Sequence, residues 1–355
     1  MTATANEVLL RQSVKHQMYV LRHGNQVVHD VMWTLNDALA SVTDKMAARL
    51  ITIAGTGREY NFADKRLQAV RRAISDLLDG GMTSVKDLLA TRLKSLAVSE
   101  SDVQIAALKG AITVPFDFIA PAPNLLEAIV ESRPFEGNIL SGWFDRLSLA
   151  GGDLINRQIN MGLAEGESVD QLVRRVRGTA AAQFGDGAAG QIRRNVEAVV
   201  RTAVQTVTSD ARLETLKENS DIVSGWAWCA TLDSRTCPSC GERDGAFYPL
   251  EEASEKPPLH WNCRCCLSPV LKSWKDLGID LKEAPAGTRA SLDGQVPATM
   301  KYSEWIASQP DHVQDDALGA RRAELFRSGQ VTVDQFTDDR GKLLSLSELR
   351  AKAGL

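Results

Sequence analysis

The sequence predicts an α+β protein, mainly α-helical, with one small β and knuckle module in its central domain, and three observations carry that reading. Apolar residues recur at helical spacing from the start to about Leu96, and further helices are read as far as Glu218. An aromatic stretch of period two, GWAWCATL, begins at Gly225 and reads as a strand. Five of the six cysteines then fall between Cys237 and Cys266.

The helical spacing is plain in Val14, Met18 and Leu21, and again in Val27, Val31 and Leu35. Gly55 and Gly57, and then Gly80-Gly81, read as breaks, with Thr83 and Ser84 after the second offering caps for a helix through Val85, Leu88 and Leu89. Several packed helices are therefore expected over 1–134, the first domain. Its boundary is set by Pro115, Pro121, Pro123 and Pro134, each fixing its own backbone and lacking an amide donor.

A second domain is expected over 135–274. Trp143 to Met161 is amphipathic, and Ser168 with Gln171 has the spacing of a capping box for the helix that follows. That helix bears Arg174, Arg175 and Arg177; a later one bears Arg193, Arg194 and Arg201, with GTAAAQFGDGAAG between them read as a flexible run. Arginines so placed are solvated helix faces in the plain reading and a local anion contact, to phosphate or an acidic partner, in the sharper one. Beyond Glu218 the aromatic strand and a second short strand, Ala246 to Tyr248 after the Asp244-Gly245 turn signal, frame the cysteine cluster. Residues 275–299, including EAPAGTRASLDGQVPAT, read as an exposed tether, and 300–355 as a small helical tail with a capping box at Ser345 and Glu348.

Composition narrows the function classes. A chain of 355 residues, 44% apolar, can bury a full core, while a formal charge of −4 gives no global attraction to nucleic acid. MTATANEVLL has neither the basic start nor the apolar run of a secretory signal, and no stretch approaches a membrane span, so a cytosolic protein without membrane contact is expected. In a reducing compartment, clustered cysteines mean metal more often than disulfides. Cys229, just outside the cluster, reads as a buried strand residue.

Cys237-Pro-Ser-Cys240 has the C-x-x-C spacing that aims two thiolates at one ion from a single turn, and His260-Trp-Asn-Cys263-Arg-Cys265-Cys266 supplies the second half. Five donors, Cys237, Cys240, His260, Cys263 and Cys265, compete for four tetrahedral positions. The preferred set is Cys237, Cys240, His260 and Cys263, with Cys265 the alternate. A redox C-x-x-C would belong at a helix start beside a βαβ pattern, which is not expected here. Asp233, Glu242 and Asp244 are the carboxylates that a catalytic zinc would recruit, but so many soft ligands favour a structural ion. Asp233 and Arg235 read as braces of the knuckle turn, and Arg264 as a neutraliser of the thiolates. His16, His23, His29 and His312 read as ordinary surface or core histidines.

TLDSRTCPSCGERDGAF from Thr231 and PPLHWNCRC from Pro257, with the upstream helix AVVRTAVQTVTSDAR from Ala198, resemble the Mu F-like phage head morphogenesis family. The resemblance runs over about Leu140 to Leu271, and the stretch from Tyr302 to Phe326, with Trp305, Leu318 and Phe326 as docking residues, looks like an extension found on such proteins. It implies a minor head protein that is part of the virion. Such a protein sits near the portal and capsid interior after assembly in the host cytoplasm, and acts in head morphogenesis or genome delivery. Its partners would be the portal protein or the major capsid protein. No catalytic constellation is expected. The alternatives are a packaged zinc-dependent enzyme, a nuclease or toxin-like transferase, and a module that binds packaged DNA non-specifically, which the acids Asp244, Glu251 and Glu252 would oppose beside the metal.

Overall fold

The computed structural model describes residues 4–54, 65–112, 116–251, 255–273, 277, 288–338 and 341–355. The expected break at Gly55 and Gly57, Pro115, Glu252, and the first part of the expected tether lie outside the described residues. Helix dominates, with two small antiparallel sheets among the described residues. No helix among them is long and apolar enough to cross a membrane.

Two long helices, α1 (Ala5–Ala54) and α2 (Lys65–Ala111), open the fold. Their length corrects the expectation of a break at Gly80-Gly81, because α2 runs through both residues. A Cβ on Gly81 would strike Ala38 of α1, whereas one on Gly80 would meet nothing, so Gly81 serves close helix approach. Ser84 donates back to the Gly80 carbonyl at 3.1 Å, an intrahelical bond in place of a cap.

After α3 (Pro123–Glu131) come α4 (Leu140–Ala164) and α5 (Val169–Arg177), the latter opened by the expected capping box. The run read as flexible is a hydrogen-bonded turn instead: Asp186 accepts from the amide and hydroxyl of Thr179 at 2.8 and 2.7 Å, pinning a single 3₁₀ turn at Ala180–Ala182. Then α6 (Ala188–Glu218) leads into β1 (Val223–Cys229), α7 (Pro238–Glu242), β2 (Phe247–Pro249) and β3 (Cys266–Leu271). The sheet order is β2-β1-β3, with Trp226 opposite Tyr248 and Cys229 opposite Cys266. The stretch read as a tether contains a hairpin of β4 (Thr288–Ser291) and β5 (Gly294–Pro297). Gly294, at φ 115, takes the backbone conformation that its turn requires. Short helices α8 (Tyr302–Ala307), α9 (Asp311–Leu318), α10 (Ala320–Arg327) and α11 (Leu346–Lys352) end the chain.

Two compact units result. One takes residues 1–22, 97–126 and 205–355, the other 23–96 and 127–204. In the first, Leu9 of α1, Leu108 of α2 and Leu213 and Leu216 of α6 pack with Trp226, Trp228 and Leu267 of the sheet, and Cys240, Cys263 and Cys265 join the same core. A further cluster in this unit gathers Leu232 with Tyr302, Trp305, Leu318, Phe336 and Leu349. The predicted docking residues Trp305 and Leu318 are buried there, and Phe326 packs at its margin.

The same unit buries an ion network. Arg212 of α6 donates to Glu100 of α2 at 2.5 Å, His16 of α1 lies 2.7 Å from the other carboxylate oxygen, and Arg212 reaches the Leu267 carbonyl of β3 at 3.3 Å. Burial pushes the Glu100 carboxyl upward, but the Arg212 charge and then His16 override it and hold the group down to about 2.

The second unit buries Leu39 and Met46 of α1, Leu78 and Val85 of α2, Ile155 and Ile159 of α4, and Ile192 and Val196 of α6. Gly151 of α4 lets Leu78 and Ile192 approach closely.

Candidate metal centre

Two tight turns build the centre. In the first, Cys237 is the N-cap of α7 and Pro238 its first helical residue; Cys240 and Gly241 both donate their amides to the Cys237 carbonyl, at 3.1 and 2.9 Å. The C-x-x-C does stand at a helix start, contrary to expectation, but the helix is five residues long and leads into an antiparallel sheet. In the second turn Cys263 donates its amide to the His260 carbonyl at 3.1 Å, and Asn262 takes the left-handed conformation, φ 60, that asparagine tolerates better than most residues. This brings His260 and Cys263 round to the first turn.

The donor atoms meet. Cys237 Sγ lies 3.2 Å and Cys240 Sγ 3.4 Å from His260 Nε2, and Cys240 Sγ lies 3.7 Å from Cys263 Sγ. A tetrahedral zinc shell requires about 3.8 Å between sulfurs and about 3.5 Å between sulfur and nitrogen. The observed separations fit it. Two triads can hold a metal, Cys237 with Cys240 and His260, and Cys240 with Cys263 and Cys265. Cys240 is common to both. His260 Nδ1–H donates to the Trp261 carbonyl at 2.9 Å, which leaves Nε2 facing the sulfurs, the orientation a ligating imidazole needs.

The protonation pattern suits a cation. The Cys240 thiol and then His260 hold Cys237 down to about 4, and Cys240 followed by Cys265 holds Cys263 down to about 2. Cys240 itself is raised, first by Cys237 and then by Cys263. His260 is raised to about 9, chiefly by its bond to Cys237. Thiolates thus stand beside protonated donors, and a bound metal ion would release those protons.

The carboxylates nominated from sequence are all engaged. Asp233 accepts the Arg235 amide at 2.9 Å, as expected of a brace, and receives both arms of Arg264 at 2.6 and 2.5 Å. Arg264 therefore neutralises Asp233 directly. Glu242 is bonded to the Thr337 hydroxyl. Asp244 is buried and accepts from Ala230 N and Tyr302 N, both at 2.9 Å, while Arg289 pairs with it at 3.0 Å. It does not face solvent, so it is not one of the acids that would repel DNA beside the cluster. Cys229 is buried on β1, as read, within reach of Arg289.

Sequence reading missed this latch. Arg289 lies in the apparent tether, and Tyr302, which donates to the Thr236 carbonyl at 3.1 Å, covers Gly241 so closely that a Cβ there would collide with its ring. The signal was the glycine after Cys240: a residue with no side chain beside a buried cluster marks a close neighbour.

Residues 153–268 match the family described as Phage Mu protein F like protein. The match lies within the stretch on which the resemblance was read and contains both halves of the cysteine-histidine cluster. Neither a comparison with curated proteins nor one with solved structures found a match. The Mu F-like region draws on both compact units, from α4 through β3. The buried Arg212 and the candidate metal donors lie inside it, whereas Glu100 and Tyr302, which support them, lie outside.

Proposed function

We propose that the protein is a minor head component of a tailed bacteriophage, located in the virion at the portal or capsid interior, and that it acts in head morphogenesis or genome delivery. The match of residues 153–268 to the Mu F-like family supports this reading. Its partners are the portal protein or the major capsid protein, with packaged DNA met at most non-specifically. A single zinc ion held by Cys237, Cys240, His260 and Cys263, with Cys265 as the alternate fourth ligand, cross-links the two turns. When bound, a structural zinc contributes on the order of 10 kcal/mol to the folding of such a segment.

A non-enzymatic role is supported by the structural bonds of the nominated carboxylates: Asp233 and Asp244 are paired with Arg264 and Arg289, and Glu242 is bonded to the Thr337 hydroxyl. The protein purified from infected cells should sediment with procapsids and virions; absence from assembled heads overturns the assignment. Elemental analysis of the same protein should return one zinc per chain. Cys240→Ser should lose the ion, since Cys240 belongs to both triads, while Cys265→Ser should keep it; loss in Cys265→Ser with retention in Cys263→Ser would exchange the fourth ligand. DNA cleavage that is lost in a folded His260→Ala variant would replace the structural role with a nuclease.

A further inference from the structure

In the second unit a pocket of about 400 Å³ opens where α1, α6 and the turn after α5 meet. Leu39 and Thr43 line it from α1, Arg193 from α6, and Arg177, Gln183 and Phe184 from the end of α5 and its turn. No acidic residue is among its lining residues. Arg175 and Arg201, which lie elsewhere on the same two helices, are matched by Glu165, Glu167 and Glu197. Arg177 and Arg193 form no ion pair among the described residues. Arg193 is held instead by neutral oxygens, the Phe184 carbonyl at 2.8 Å and Asn36 Oδ1 at 3.4 Å, and the Arg177 guanidinium lies 5.6 Å from the centre of the Phe184 ring. Burial, and then the charge of Arg194, lower the pKa of Arg193, as expected of a cation without a counter-ion.

Backbone strain points to the same place. Gln183 and Phe184 are consecutive non-glycine residues at positive φ, 50 and 58, a conformation that costs side-chain-bearing residues energy. Their reward is local: the strained pair places an amide and a partly exposed aromatic ring on the pocket wall. Strain of this kind collects at binding sites.

We propose that this pocket binds a side-chain carboxylate of a partner protein, presented within an apolar stretch of that protein. Two guanidinium groups supply the planar, charge-assisted donors that a carboxylate matches, and Leu39 and Phe184 supply apolar wall for its neighbours. The turn itself offers other anions no amide cradle. Phosphates and terminal carboxylates are typically caught by free backbone amides, but the amides of Ala182, Gln183, Phe184 and Gly185 are all spent on turn bonds. Arg177 covers a face of Phe184 that a nucleobase would stack on, and Asp37 and Asp44, exposed on α1 one position beyond Asn36 and Thr43, repel a polyanion running past. The inference concerns a surface apart from the metal centre and does not depend on the head-protein reading.

The test titrates the full-length protein with a short capped peptide carrying one Glu between Leu and Phe residues, with the same peptide bearing Gln, and with a duplex oligonucleotide. The Glu peptide should bind about tenfold more tightly than the Gln peptide, and Arg177→Gln or Arg193→Gln should each erase about that factor. Arg174→Gln, outside the pocket, should change nothing. The Arg177 side chain makes no hydrogen bond or ion pair among the described residues, so its variant reports even where Arg193→Gln disturbs the turn. Equal binding of the two peptides, or full binding by a folded Arg177→Gln variant, overturns the proposal. So does an oligonucleotide that displaces the peptide with steep salt dependence, which would make nucleic acid the occupant.

Discussion

At the scale of single residues the costliest change is to the buried pair of Glu100 and Arg212. Glu100→Gln leaves a guanidinium in the core without its counter-charge, and a loss of about 3–5 kcal/mol is expected in urea unfolding. The pH dependence follows from the sign of the shift. Glu100 titrates at about 2 in the fold against 4.5 ordinarily, so its stabilisation is complete above 4.5 and drains away as pH falls through 2. Unfolding midpoints should drop between those values in the native protein and stay flatter in the Gln variant. The residues of the candidate metal centre were legible in sequence because C-x-x-C and H-x-x-C are local geometry: one turn carries each half. Glu100 was not, although a trace existed. Ala97, Glu100, Ser101, Gln104 and Leu108 continue the buried spacing of α2 with polar members, which demands partners that no local pattern names.

Among the elements, adjacent glycines on α2 allow a paired experiment. Gly80→Ala meets open space and gains helix propensity, so thermal unfolding should show stabilisation of about 0.5–1 kcal/mol. Gly81→Ala collides with Ala38 and should destabilise by about 1–3 kcal/mol. The contrast explains why the pair was misread. Propensity treats both residues alike, while packing distinguishes them, and packing is not written in the α2 sequence. The helices themselves were legible from period, as was β1 from its alternating tryptophans. The hairpin of β4 and β5 escaped because its strands are four residues each and mostly polar, so the Asp293-Gly294 turn signal lacked the apolar flanks that give it meaning.

For the molecule as a whole, the knuckle and the C-terminal helices form one mechanical system through Tyr302, Asp244 and Arg289. Chelation should therefore raise hydrogen exchange together in α7, in the β4–β5 hairpin and around Tyr302 and Trp305, with α4 in the second unit little changed. Exchange confined to Cys237–Cys266 would mean that the latch holds without the metal. The helical character of the first region was visible in sequence, the length of α2 was not, and which unit each end joins depends on contacts between residues as far apart as Gln17 and Gln205, or Asn6 and Leu271. The buried ion pair has a consequence for heredity. A genome that acquired only the segment encoding residues 153–268 would receive Arg212 without Glu100, a base whose acid stayed behind with the donor. Recombinants that cut between the two should persist only where the recipient already encodes a matching acid, or where both positions have first become neutral.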